Sequence, residues 1–166
     1  MSEKLKEELL KILKEEKALY QKLFEIAEEK NEALVNNDTD SLMEIVENDR
    51  EVISDIEAKD QERNDKIQDI KTEFEITLEK DSYSNLIKEL PEDWGEDLNP
   101  IREELIELTD EFNSLNEQNQ KLLQQAIELN QISFETIMQN IKDEDTTYSN
   151  TAKDKKEQPR IINKQG

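Results

Sequence analysis

Chemistry in a protein starts from side chains that can move a proton, offer an electron pair or hold a metal, and in this chain of 166 residues that inventory is one-sided. There is no histidine and no cysteine. Their absence removes the Ser–His and Cys–His nucleophiles, disulfides and the usual zinc ligand sets. Two isolated glycines cannot build a phosphate-cradling loop or a dinucleotide fingerprint. What remains is carboxylate: 43 Asp and Glu against 22 Lys and Arg, a net charge of -21. At that density acidic pairs arise at helical spacing by chance, and the Glu-x-x-His pattern of di-iron sites lacks its histidines. The expectation is a solvated acidic coat with no catalysis, no metal and no cofactor. The same charge repels phosphodiester backbones and anionic lipid heads, so neither nucleic acid nor membrane insertion is expected.

The chemistry of recognition is better represented. Asn116 and Asn119 place two amides in or beside an apolar seam that continues through Leu122 and Leu123. A second row follows with Ile127, Phe134, Ile137 and Ile141, a strong apolar cluster for the end of a helix. One reading makes the amides register-setters, since a buried Asn fixes helix alignment at some cost in stability. The other makes them the border between internal packing and a face offered to a partner.

Those residues need long helices to hold them. Apolar residues make up 33% of the chain and charged residues 39%, against roughly 45–50% and 25% in ordinary globular domains. A layered core is out of reach, whereas helices burying only a stripe each are not. The expected fold is all-α: an elongated antiparallel bundle or coiled coil of three long helices, about 3–35, 40–80 and 100–142.

The first helix carries two adjacent rows, Leu5, Leu9, Ile12, Glu16, Leu19, Leu23, Ile26 and Leu10, Leu13, Tyr20, Phe24, Ala27, a face wide enough for two neighbours. Asn36 to Thr39 breaks it, and Asp38 or Thr39 caps the second helix. Between Glu57 and Lys66 only Ala58 is apolar, which predicts a solvated middle or loosened packing. Residues 81–99 form a connection with a short helix near Ser84–Leu90, stopped by Pro91, and with Trp94 packed into the bend or exposed as a contact. Asn99-Pro100 reads as the cap and first position of the third helix. Residues 1–142 make one helical domain. Residues 143–166, nearly without apolar side chains and with five basic against five acidic residues, make a flexible tail. No apolar run approaches a membrane span or a signal segment, so a cytoplasmic protein is expected.

The acidic leading helix, the Asn37-Asp38-capped second helix leading to Arg63, the Asn116-x-x-Asn119-x-x-Leu122-Leu123 segment and Thr147-Tyr148 with a polar tail resemble the FlgN-type flagellar export chaperones. The resemblance covers nearly the whole chain. It implies a cytoplasmic chaperone that binds the helical terminal regions of hook-associated, hook–filament junction proteins, prevents their premature association and delivers them to the type III export gate. It places Asn116, Asn119, Leu122 and Leu123 on the family's third-helix motif and Tyr148 on the tail tyrosine of the gate-docking region. The chain departs from the pattern after Tyr148, with Ser149-Asn150-Thr151-Ala152 where a glycine is usual. The client-binding set is then Asn116, Asn119, Leu122, Leu123, Ile127, Phe134, Ile137 and Ile141, with the protein a monomer or weak dimer. Two alternatives stay open at this point: a structural coiled-coil dimer, and an export chaperone for the filament cap protein or flagellin.

Overall fold

The computed structural model describes the backbone of residues 1–148 and the side chains of residues 1–143. Among them four α-helices follow one another: α1 (Ser2–Val35), α2 (Thr39–Glu73), α3 (Tyr83–Glu89) and α4 (Glu92–Tyr148). Met1–Ala126 forms one compact unit, and a second begins at Ile127. No described helix is long and apolar enough to cross a membrane. The expected tail lies, from Ser149 on, outside the described residues.

The turn between α1 and α2 is local chemistry. Asn37 adopts φ 54°, the left-handed conformation that Asn tolerates better than most residues. The Asp38 N–H then donates to the Ala33 carbonyl at 2.9 Å and the Asn37 N–H to Leu34 at 3.3 Å, which satisfies two free carbonyls of the helix end in a Schellman arrangement. Asp38 at once caps α2, its Oδ1 accepting from the Ser41 N–H at 3.1 Å. That bond and the one from the Ser41 hydroxyl hold the Asp38 carboxyl below its ordinary range.

Contacts between helices fix their directions. Glu8 pairs with Lys66, Glu16 with Arg63 and Lys30 with Asp49, so higher numbers on α1 meet lower ones on α2, and the two run antiparallel. Lys6 meets Asp93, Lys17 meets Glu104 and Asn31 meets Asn119; numbers rise together, so α4 runs parallel to α1.

The structure corrects three expected boundaries. α2 stops at Glu73, not near residue 80, because Glu75 turns left-handed at φ 53° and the Ile76 N–H closes back on the Lys71 carbonyl at 2.8 Å. The reversal brings Phe74, Ile76 and Leu78 against a core of Leu9, Leu13, Ile70, Leu86, Leu90, Trp94, Leu98 and Ile101. The third long helix begins at Glu92, not Pro100, and carries that proline inside it. A proline inside a helix costs about 3 kcal/mol, here offset by burial of Trp94, Leu98 and Ile101 on one face. Asn99 does not cap; its Oδ1 accepts from the Tyr83 hydroxyl at 2.6 Å. At its far end the same helix runs on to Tyr148, past the expected residue 142. With α3 counted, the helices number four and not three.

Trp94 fills the bend. It is 2% exposed and meets Phe74 edge to face, with centroids 5.4 Å apart and rings at 87°. Gly95 beside it lets α3 approach: a Cβ there would lie 3.3 Å from Ile87 Cγ2. A second core, Leu23, Ile26, Ala33, Ile45, Val52 and Ile56, binds the other end of the α1–α2 pair.

Glu75 gives a direct test of the left-handed turn. A side chain in that conformation costs roughly 1–2 kcal/mol, which glycine avoids while losing some unfolded-state restriction. Glu75→Gly should therefore raise stability by about 1 kcal/mol, read as a higher urea midpoint. A lower midpoint would mean that the turn is not left-handed in solution.

Candidate functional site

The predicted partner face divides at the boundary of the two units. In the first unit Asn119 is 2% exposed. Its Nδ2 donates to the Ala27 carbonyl of α1 at 2.8 Å, and its Oδ1 accepts from Asn31 Nδ2 at 3.0 Å. This is the arrangement that the register-setting alternative requires: a buried amide fully bonded only when α1 and α4 hold one alignment. Asn116 and Leu122 are half-buried and Leu123 is exposed. The reason lies in register. With Asn31 level with Asn119, the last residue of α1, Val35, is level with Leu123, so α1 gives α4 no cover beyond that point within the unit.

In the second unit, Ile127, Phe134, Ile137 and Ile141 are all exposed, Phe134 by 44% and Ile137 by 56%. At 100° per residue these four fall within about 100° of arc, a single stripe. Leu129 and Ile132 are also exposed and lie on the other side of the helix, so two faces are apolar. Neither Leu129 nor Ile132 is among the expected site residues. Tyr148 is the last residue of α4 and not, as expected, just beyond the helix; its side chain lies outside the described residues.

Sequence reasoning also passed over Glu16. It is a carboxylate in an apolar row, 0% exposed, and its Oε1 accepts from Arg63 at 2.7 Å. Arg63 comes from the stretch of α2 poor in apolar residues, and its guanidinium reaches inward from there to Glu16. Its other arm meets Asp60 at 3.1 Å. Burial pushes the Glu16 carboxyl up to about 7 against the opposing pull of Arg63, with Asp60 adding to the rise. By contrast Lys6, 5% exposed, sits among Asp93, Asp97 and Glu3 at 2.7–3.1 Å, and Asp93 above all holds its ammonium charged.

The Glu16 shift has a definite sign. Between the ordinary value of 4.5 and about 7 the folded chain holds a proton that the unfolded chain has released, so stability falls as pH rises through that window and levels off above it. The loss approaches roughly 3 kcal/mol at about 1.4 kcal/mol per unit. No histidine titrates in the same range. Denaturant midpoints measured from pH 5 to 8 should decline for the wild type and stay flat for Glu16→Gln. Parallel curves would assign the proton elsewhere.

No group of three or more His, Cys, Asp or Glu suited to a metal occurs among the described residues. No curated protein and no solved structure matches the chain. A family model described as FlgN protein matches residues 1–156, a span that takes in all four helices. The chain belongs to the FlgN family, a family of flagellar export chaperones.

Proposed function

We propose that this protein binds the helical terminal regions of hook-associated proteins in the cytoplasm, keeps them from associating early and delivers them to the export gate. The observation that carries this reading is the exposed stripe of Ile127, Phe134, Ile137 and Ile141. A helix whose apolar face is uncovered has the complement of an amphipathic client helix, and exposed patches of this kind mark interaction sites. Burial of three or four such side chains contributes roughly 1.5–3 kcal/mol each, enough to offset the ordering of the client segment and leave micromolar or tighter affinity. The net charge of -21 keeps the free protein soluble despite the patch. Leu123, exposed at the end of the first unit, extends the client-binding set, with Asn116 and Leu122 at its half-buried edge. Asn119 contributes by fixing the alignment of α4 against α1. Chaperoning of this kind needs no catalytic group and no cofactor.

Tyr148 is the candidate for docking at the export gate, on the strength of the family resemblance. Both parts are tested by co-purification from a flagellated bacterium. Hook-associated proteins should be recovered with the wild type and equally with Tyr148→Ala, whereas export should fall only with Tyr148→Ala. Recovery of the filament cap protein or flagellin would reassign the client. Recovery of the chain alone as a stable dimer would favour a structural coiled coil.

A further inference from the structure

The exposed stripe of the second unit is not apolar throughout. At 100° per residue Ile127, Phe134, Ile141 and Ile137 follow one another across about 80° of arc, and Asn130 falls between Ile141 and Ile137. Its carboxamide lies inside the stripe, exposed like the residues around it. Charge is scarce in the same stretch. Among residues 127–142 only Glu128, Glu135 and Lys142 are charged, against 39% of the whole chain. These three fall within about 40° of arc on another side of the helix. The positions that border the stripe are Gln131 and Met138 on one edge and Ser133 and Asn140 on the other.

Both features restrict what can cover the stripe. A helix lying on it takes Asn130 out of water, and a buried amide left without a partner is costly. An apolar side chain opposite does not relieve that cost, whereas a second carboxamide offers both a donor and an acceptor. The first unit already contains this solution: the buried amide of Asn119 is met by Asn31 and the Ala27 carbonyl. The edges act on charge. Lysine or glutamate flanking the covering helix would give up water beside Gln131, Met138, Ser133 and Asn140 without gaining a counter-charge. A second copy of this chain would bring its own net charge of -21 and meet repulsion from the body it approached.

We propose that the client segment is an amphipathic helix with uncharged edges and an asparagine or glutamine within its own apolar row, and that this amide pairs with Asn130 to fix the register and select the client. The proposal rests on the client-binding reading and adds to it a specificity-determining residue outside the expected set. Shortening Phe134 and Ile137 tests that reading, and coupling at Asn130 tests this one, so the two fail separately.

The probe is a synthetic helix of about five turns with leucines on one face, serine and glutamine at its edges and a single asparagine in the leucine row. Its twin carries leucine in place of that asparagine. Calorimetry measures both peptides against the full-length wild type and Asn130→Leu. Paired amides predict a coupling of about 10–100-fold across the four affinities, the asparagine peptide gaining on its twin with the wild type and losing to it with Asn130→Leu. Should the added leucine cause self-association, Asn130→Ala with an alanine twin closes the same cycle. Salt between about 0.05 and 0.5 M should change the wild-type affinity less than about threefold, since no charges meet at the stripe. A third peptide, with lysine and glutamate in equal number at its edges, should bind about fivefold more weakly or worse at the higher salt. Coupling below about threefold, a larger response to salt, equal binding of the charged-edge peptide, or no binding of the asparagine peptide would each overturn the proposal. So would a wild type found dimeric by sedimentation whose dimer is lost with Phe134→Ser, which would give the stripe to a second copy.

Discussion

A chain carrying Phe134→Ser together with Ile137→Ser should lose its client while keeping nearly all of its helicity. Both side chains are about half exposed, so the free protein loses little packing when they are shortened, and serine at an exposed helix position costs only a few tenths of a kcal/mol in propensity. In the complex the balance reverses. Each side chain forfeits roughly 1.5–3 kcal/mol of burial, and the pair together about 3–6 kcal/mol, or a weakening on the order of 100- to 10,000-fold. Titration of a hook-associated terminal helix against the wild type and the double variant reads this directly, with far-UV circular dichroism as the control on folding. Undiminished affinity in a folded double variant would remove the stripe from the binding site. Leu129→Ser with Ile132→Ser, on the other side of α4, separates the two apolar faces: whichever pair matters less lies away from the client.

The largest expected effect on stability belongs to Trp94→Ala. Trp94 is buried in a core that draws on all four helices and on the segment after α2. Removing its side chain leaves a cavity lined by Leu, Ile and Phe74, at a cost of about 3–5 kcal/mol, a large part of the 5–15 kcal/mol that holds most domains folded. The melting temperature followed by circular dichroism should fall by roughly 10 °C or more. Trp94→Phe should recover about half of the loss, since a phenyl ring keeps the apolar contact but not its full reach. A fall of less than about 3 °C for Trp94→Ala would contradict the burial seen here, because the cavity estimate leaves no room for so small a change.

Much of this architecture was legible because helices announce themselves by period. The paired rows of α1, with apolar residues at spacings of three and four, determine which faces are buried and require two neighbours for one helix, which the structure supplies as α2 and α4. The Asn37-Asp38 turn was legible too, since left-handed tolerance and capping are properties of those two side chains. The errors came where packing overrode a local signal. Asn99-Pro100 has the sequence of a helix start, yet the helix begins eight residues before Pro100, because burying Trp94 and Leu98 outweighs the disruption at Pro100. The end of α2 at Glu73 carries no glycine, and the reversal at Glu75 is enforced by the gain from placing Phe74, Ile76 and Leu78 on the core.

The candidate sites divide in the same way. By itself the sequence determined that Ile127, Phe134, Ile137 and Ile141 share one face, because a helical stripe is a matter of spacing. Whether those side chains are covered is a matter of tertiary structure, which leaves all four exposed; in the first unit the alignment of Asn31 with Asn119 likewise decides that α1 ends level with Leu123. Spacing likewise placed Asn119 in the seam, but only the packed helices show that its amide is spent on Ala27 and Asn31. The pairing of Glu16 with Arg63 was beyond reach in one dimension. Charge balance between positions 47 residues apart depends on which helix folds back on which, and at what register, and a one-dimensional pattern does not carry that information.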